Sequence, residues 1–342
     1  MSSDRVSQSL TTYRSPPTDK PMVSWRGFEP FRGDCDALSI MVQEAWRDDP
    51  AALLYDARFL KSQFESPKAS LDLAPTLYKD GQPAAFVAGF PRQVIVEGRP
   101  RSLAISAYLS VAPAFKRFGL GAVALRVLVE QVAVAGHDGV IVYCVDGGPM
   151  NAITLAVGAR LDVAVKSIFT VRHLSRPLFP RKTGSLNESH PDLLVETLVG
   201  LGARAQAFAT VGRQWSIEEA AWQCAGPYAI AERLQSGPRI GLLTGRCVHT
   251  AAGAQPMVLL IEDILWGDLE PDECALLLSR FLDRASARGA QLAVTPDLGY
   301  ANLTPLRAAR FRPNQRVLNT YLFSFDGEFP AEPLQAMYVK VF

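Results

Sequence analysis

The chain has 342 residues, 48% of them hydrophobic and 20% charged, with 35 Lys+Arg against 34 Asp+Glu. At roughly 150 residues per domain, that length favours two domains over one and is ample for a buried core. A charge balance this close to neutral argues against nucleic acid or an anionic membrane as the principal partner, and the longest apolar stretch, residues 120–135, is broken by Arg126, Glu130 and Gln131 and is too polar to span a bilayer.

Residues 1–20 are polar and rich in Pro, Ser and Thr, without the apolar centre of a secretory signal, and read as a disordered tail. A strand is expected at 22–28, a helix at 37–46 behind Asp34 or Asp36 as cap, and a second helix at 51–64, ending before Pro67. Three strand-like runs follow, at 76–79, 83–95 and 102–111, joined by the turn pairs Asp80-Gly81 and Glu97-Gly98, which makes an antiparallel meander. The pattern changes at Pro113: an amphipathic helix at 119–135, a continuous apolar strand at 139–145, a short helix at 150–157 and a strand at 161–173. A strand, helix and buried strand in that order imply a parallel pair with a crossover helix.

Residues 175–190 are rich in Pro, Ser and basic side chains and suit a linker between a first domain at 21–174 and a second at 191–342. In the second half, strands at 240–249 and 257–266 precede a helix at 271–288, a strand at 291–295, a helix at 304–310 and a strand at 316–325. Residues 102–111 align with 257–266, and Gly158-Ala159-Arg160 with Ala309-Arg310-Phe311. An offset of about 150 residues recurs between matching elements, as in a tandem duplication. The fold class expected is mixed α/β: two domains in tandem, each a mixed antiparallel and parallel sheet flanked by helices.

Five cysteines, Cys35, Cys144, Cys224, Cys247 and Cys274, show no CxxC spacing, and four histidines are equally scattered. Free thiols in a reducing cytoplasm fit this pattern; a disulfide framework or a metal site does not.

The segment that carries chemistry is residues 109–125, LSVAPAFKRFGLGAVAL. A strand ends at Val111, a turn bears Lys116 and Arg117, and Gly119 and Gly121 open a helix, so several backbone N–H groups and the positive helix end converge where a pyrophosphate could approach. A Rossmann loop would need a third glycine, and a Walker A loop would need G-K-[ST] after the second, where Ala122 stands.

Val111-Ala112-Pro113 followed by Lys116-Arg117-Phe118-Gly119-Leu120-Gly121 resembles the acyl-CoA-binding motif of the GNAT superfamily of N-acyltransferases, whose order of elements also fits residues 22–173. The resemblance implies that main-chain groups of Leu109, Ser110 and Val111 pair with the pantetheine arm. It implies further that amides from Arg117 through Phe118, Gly119, Leu120 and Gly121 to Ala122 hold the pyrophosphate, with Lys116 and Arg117 neutralising charge. Acetyl-CoA, or another acyl-CoA, is then the expected co-substrate, and a small-molecule amine the acceptor; a homodimer is compatible. Departures are plain. The family's proton-donating tyrosine falls on Thr154, too weak an acid alone, and no carboxylate lies in residues 101–111. Tyr143 and Tyr108 are the substitutes expected on the flanking strands, although such residues are more often core or cleft lining, and Asp146 is the nearest acid, at least as readable as a turn cap.

In the second half, Asp268, Glu270, Asp272 and Glu273 replace the basic turn and should repel a diphosphate, so no CoA is expected there. Glu262 and Asp263 are candidate acceptor-site residues or a solvent-facing strand end, and Trp215, Trp222, Tyr300 and Phe311 are expected in the core. Two rivals remain: a CoA-binding sensor without turnover, and an aminoacyl or long-chain acyl transferase on the same paired domains.

Overall fold

A computed structural model describes residues 27–49, 53–179, 190–250, 257–331 and 334–339. The expected tail at 1–20 and most of the expected strand at 22–28 and of the linker lie outside these residues. The first half runs β1 (Phe28–Pro30), α1 (Cys35–Ala45), β2 (Leu53–Leu54), α2 (Ala57–Phe64), β3 (Pro75–Lys79), β4 (Gln82–Val96), β5 (Arg99–Val111), α3 (Leu120–Val134), β6 (Gly139–Val145), α4 (Pro149–Leu161) and β7 (Ala164–Pro177). The second runs α5 (Pro191–Phe208), β8 (Val211–Arg213), α6 (Ile217–Ala225), β9 (Ala229–Ser236), β10 (Arg239–Thr250), β11 (Met257–Leu265), α7 (Pro271–Ala287), β12 (Ala290–Asp297), α8 (Thr304–Ala308), β13 (Arg312–Ser324) and β14 (Met337–Tyr338).

Local chemistry sets most boundaries. The Asp34 carboxylate accepts from the Ala37 amide and starts α1, and Asp56 does the same for α2 through Phe59. The second helix therefore begins at Ala57, later than the expected 51, and Leu53–Leu54 forms a strand instead because β10 offers it an edge. Asp80-Gly81 and Glu97-Gly98 all have positive φ, the backbone of a tight hairpin turn, and close the meander β3-β4-β5. The second meander has a third strand, β9, and is preceded by α5, β8 and α6, which the sequence reading left unassigned. The last helix of each half also differs: α4 extends to Leu161 and α8 is a single turn.

All strands join one sheet in the order β1-β3-β4-β5-β6-β13-β7-β12-β11-β10-β2, with β9 on β10, and β14 on β8 beside β4. The final strand of each half crosses to the other: β13 lies between β6 and β7, and β7 pairs with β12 through residues 172–177. The same exchange recurs at the short strands, β2 on β10 and β8 on β4. Each half therefore completes its partner's sheet. The core has matching layers: α3 and α4 pack on β5, β6 and β13 around Leu125, Leu128, Val142 and Phe323, while α7 packs on β10, β11 and β12 around Leu277, Phe281 and Leu259. Phe311 and Trp215 are buried in the core, as expected, whereas Trp222 and Tyr300 are half-buried.

Candidate active site

In the first half β5 and β6 are parallel, but they pair only from Leu103–Gly139 to Ile105–Ile141. Beyond that point the strands separate, because β5 carries a bulge. Its register against β4 slips between Ser110–Phe86 and Ala107–Ala88, and Tyr108 adopts φ +59. A left-handed aromatic residue costs about 1–2 kcal/mol, so the packing around it must impose that conformation. Its ring stacks edge-on against Tyr55 (4.8 Å) and Phe90 (5.9 Å). Among the described residues, the bulge leaves one edge of β5 from Ser106 to Val111, which includes Leu109 and Ser110, unpaired by any strand, open for an extended chain to add to.

The motif turn stands at the mouth of this wedge. Gly119 takes φ +73 immediately before α3, with no side-chain cap and open space where a Cβ would point. Arg117 also has positive φ. Among the described residues, the amides of Arg117, Phe118, Gly119, Leu120 and Gly121 have no backbone acceptor, whereas Ala122 N–H donates to the Gly119 carbonyl at 3.1 Å and is used within the helix. Arg117 and Phe118 are exposed. Lys116 is engaged elsewhere: its ammonium donates to the Ala45 carbonyl at the end of α1 (2.9 Å). Ser110 is buried and its hydroxyl accepts from Trp46 Nε1 (2.9 Å), tying α1 to the same strand.

The four residues considered for proton transfer are not brought together. Thr154 is fully buried on α4, its hydroxyl 3.4 Å from Cys144 Sγ. Tyr143 faces the opposite side of the sheet, packed with Ile105, Ile168 and Leu318; its buried hydroxyl has no hydrogen-bond partner among the described residues, and burial pushes its pKa up. Tyr108 is likewise raised well above the ordinary phenol value by burial. Asp146 is exposed at the end of β6, where its carboxylate accepts from Asn319 Nδ2 (2.8 Å) and its amide donates to the Val317 carbonyl. The fold adds two groups that sequence reasoning missed. Tyr321, on β13, packs beside Cys144 and Val142, and its hydroxyl donates to Asn151 Oδ1 (3.1 Å). Asn151 in turn donates to the carbonyls of Val145 (2.7 Å) and Gly148 (2.8 Å). Burial, with Cys144 and Asp146 nearby, raises the Tyr321 pKa, so its proton is held at neutral pH.

The corresponding place in the second half is closed. β11 and β12 pair only to Leu260–Val294, and β11 bulges at Glu262, but the Ile264 amide donates to Tyr300 Oη (3.1 Å) and Trp266 Nε1 to the Asn302 carbonyl (2.7 Å). The turn before α7 is consumed internally: the Glu270 amide donates to Glu273 (2.8 Å), Glu273 is clasped by Arg239, and Asp268 by Arg204. Glu262 and Asp263 do not face solvent; both side chains are buried between the halves. Among the described residues no His, Cys, Asp and Glu group could hold a metal ion, and no helix is long and apolar enough to cross a membrane.

By sequence, no family model and no curated protein matches the chain. By structure it resembles Saccharomyces cerevisiae N-myristoyltransferase. Against a crystal structure with bound myristoyl-CoA, the TM-score is 0.72 at 14% identity, covering 96% of this chain and 90% of that one. A second structure with myristoyl-CoA gives 0.69 at 14% identity over 92% and 82%. A third, with myristoyl-CoA and inhibitors, gives 0.70 at 13% identity over 98% and 93%. At such identities the likeness speaks for the fold. Over nearly its whole length the chain has the fold of these structures, two GNAT-like domains in tandem, each with a mixed sheet flanked by helices.

Proposed function

We propose that the chain is an acyl-CoA-dependent N-acyltransferase with one donor site, in the wedge between β5 and β6. The observation that carries this reading is the contrast between the halves. Among the described residues, the first has an open strand edge leading to five amides without backbone acceptors at a helix start, whereas the second fills the corresponding wedge with Tyr300 and caps the corresponding helix with its own carboxylates. An extended pantetheine arm would add to the β5 edge from Ser106 to Val111, and the amides of Arg117 to Gly121, at the positive end of α3, would hold the diphosphate. Arg117 supplies the nearby charge; Lys116 orders the turn through Ala45.

In transfer, the neutral acceptor nitrogen attacks the thioester carbonyl carbon, a C–N bond forms, the C–S bond breaks, the nitrogen loses a proton and the departing sulfur gains one. Positioning accounts for much of the rate, and a main-chain N–H freed by the bulge near Val111 polarises the carbonyl oxygen. Tyr321 replaces the phenol that Thr154 cannot supply: it shares the Cys144 and Thr154 side of β6 and holds its proton.

The first donor to try is acetyl-CoA with small amines. The myristoyl-CoA in the fold neighbours favours including longer acyl chains in the same series. The deciding experiment measures CoA release and N-acyl product with donors from acetyl to myristoyl, beside direct binding. Wild type should turn over at least one donor, and Gly119→Val should weaken acyl-CoA binding at least tenfold while costing the fold about 1 kcal/mol for its left-handed backbone. Binding without turnover would make the protein a sensor; undiminished affinity in Gly119→Val would sink the donor site.

A further inference from the structure

Where β6 ends and α4 begins, four polar side chains from the two halves form one hydrogen-bonded chain. Asn151, in the first turn of α4, donates both hydrogens of its side-chain amide to main-chain carbonyls of the turn beneath it, Val145 (2.7 Å) and Gly148 (2.8 Å). Its Oδ1 accepts from Asn319 Nδ2 (3.1 Å) and from the Tyr321 hydroxyl (3.1 Å), and Asn319 Nδ2 also donates to Asp146 (2.8 Å). Turned end for end, the Asn151 amide would press its oxygen against two carbonyls and its NH2 against the NH2 of Asn319, so a single orientation satisfies every group. The direction of the chain is therefore fixed. Asn151 accepts from Tyr321, and the phenol donates.

The strands hold this geometry from behind. Asn319 and Tyr321 are two residues apart on β13, on one face and about 7 Å apart along the strand, in register with Cys144 and Val142 of β6. The Tyr321 side chain is packed in the core with Val142, Cys144 and Phe323, which leaves its hydroxyl proton as the freely turning part. An amide oxygen supports a phenol and repels a phenolate, so Asn151 keeps Tyr321 protonated at rest. Burial acts in the same direction, and Cys144 and Asp146 are the titratable neighbours whose charge reaches the ring. Such a proton leaves for a stronger acceptor than an amide, and the thiolate formed when a C–S bond breaks is one.

We propose that Asn151 is a positioning residue for acyl transfer, aiming the Tyr321 hydroxyl and reserving its proton for the departing sulfur. This rests on the N-acyltransferase reading above. As the C–S bond breaks, the Tyr321 O–H bond breaks and an S–H bond forms; the phenolate then takes up the proton that the acceptor nitrogen loses, and the bond to Asn151 forms again. Two measurements on wild type, Asn151→Ala, Asn151→Asp, Tyr321→Phe and the double variant Asn151→Ala with Tyr321→Phe test it. The first is the titration of Tyr321 by nuclear magnetic resonance, with tyrosine isotope-labelled at Cζ and the signal assigned by its loss in Tyr321→Phe. Asn151→Ala should lower the Tyr321 pKa by about 0.5 or more, and Asn151→Asp, a stronger acceptor, should raise it by about 1. A merely structural role, the bracing of the turn, would move both variants in one direction. The second is steady-state CoA release with the acyl-CoA and amine that wild type turns over fastest in the donor series above. Asn151→Ala should lower kcat about fivefold to tenfold with the KM for acyl-CoA within about twofold, and should lower kcat no further when Tyr321 is already Phe. Asn151→Ala should melt within about 5 °C of wild type, because the Gly148 amide still closes the turn on the Val145 carbonyl (2.9 Å). An unmoved Tyr321 titration, a shift of the same sign in both Asn151 variants, or an equal loss of kcat with and without Tyr321 would each overturn the proposal. If wild type releases no CoA from any donor, the acyltransferase reading falls, and the titration alone decides whether Asn151 holds the phenol's proton.

Discussion

Single residues decide what the wedge can do. Gly119 and Arg117 both hold positive φ in the turn before α3, where five amides have no backbone acceptor among the described residues; in the function proposed above, the diphosphate approaches the backbone here. Tyr321 is the residue whose role is least readable one-dimensionally, since it lies 167 positions from Thr154 in the chain yet packs against the same strand. If it delivers the proton to sulfur, Tyr321→Phe should lower kcat by about tenfold to a hundredfold and leave the KM for acyl-CoA within about twofold, read from steady-state kinetics. A change confined to KM would assign it to packing. Thr154 and Cys144 bear the opposite expectation: both are sealed in the core, and Thr154→Val should act on stability more than on turnover.

Among the elements, α3 and α7 occupy matching places and have opposite ends. The start of α3 is uncapped by any side chain, whereas α7 opens on a capping box, with Glu273 reaching back to the Glu270 amide and held by Arg239 at 2.7 and 2.9 Å. Those bonds lower the Glu273 pKa from 4.5 to about 2. A depressed carboxylate pKa contributes stability that is full above the unfolded value and is lost as pH falls toward the folded one. Wild type should therefore lose melting temperature between pH 4.5 and about 2, and Glu273→Gln should start lower at pH 7 and fall less across the same interval, measured by calorimetry. Parallel curves would remove the carboxylate from the stability of α7. The Ser216-x-x-Glu219 box starts α6 in the same way, the Glu219 amide donating to Ser216 Oγ (3.2 Å) and the Ser216 amide to Glu219 Oε2 (3.5 Å).

The whole molecule is bound together by exchange. β13 pairs with β6 along residues 318–324 and with β7 on its other edge, so the first half alone would present two unsatisfied strands where its sheet should close. We expect a fragment ending at residue 179 to aggregate when expressed alone and to become soluble when co-expressed with residues 190–342. The intact chain should unfold in urea as one transition by both fluorescence and circular dichroism. A soluble, cooperatively folding fragment would show that β13 is dispensable. The same exchange places Arg92, Arg213, Arg246, Glu219 and Glu262 from both halves in one buried cluster, and sets Tyr321 beside β6 of the first half.

The amino-acid sequence by itself determined whatever local chemistry encodes: the Asp80-Gly81 and Glu97-Gly98 turns, the meander, the glycine-opened α3, the apolar β6, and the acidic substitution in the second half, because turn preference, periodicity and helix-end charge act over a few residues. Leu53 and Leu54 show where this stops, since they form a strand only because β10 lies beside them. Only the tertiary structure decided that β13 would part β6 from β7, that Glu262 and Asp263 would be buried, that Lys116 would serve α1, and that Tyr321 would meet Asn151. Those outcomes come from strand pairing and desolvation between segments that are not neighbours in the chain, and no local pattern specifies such a partner.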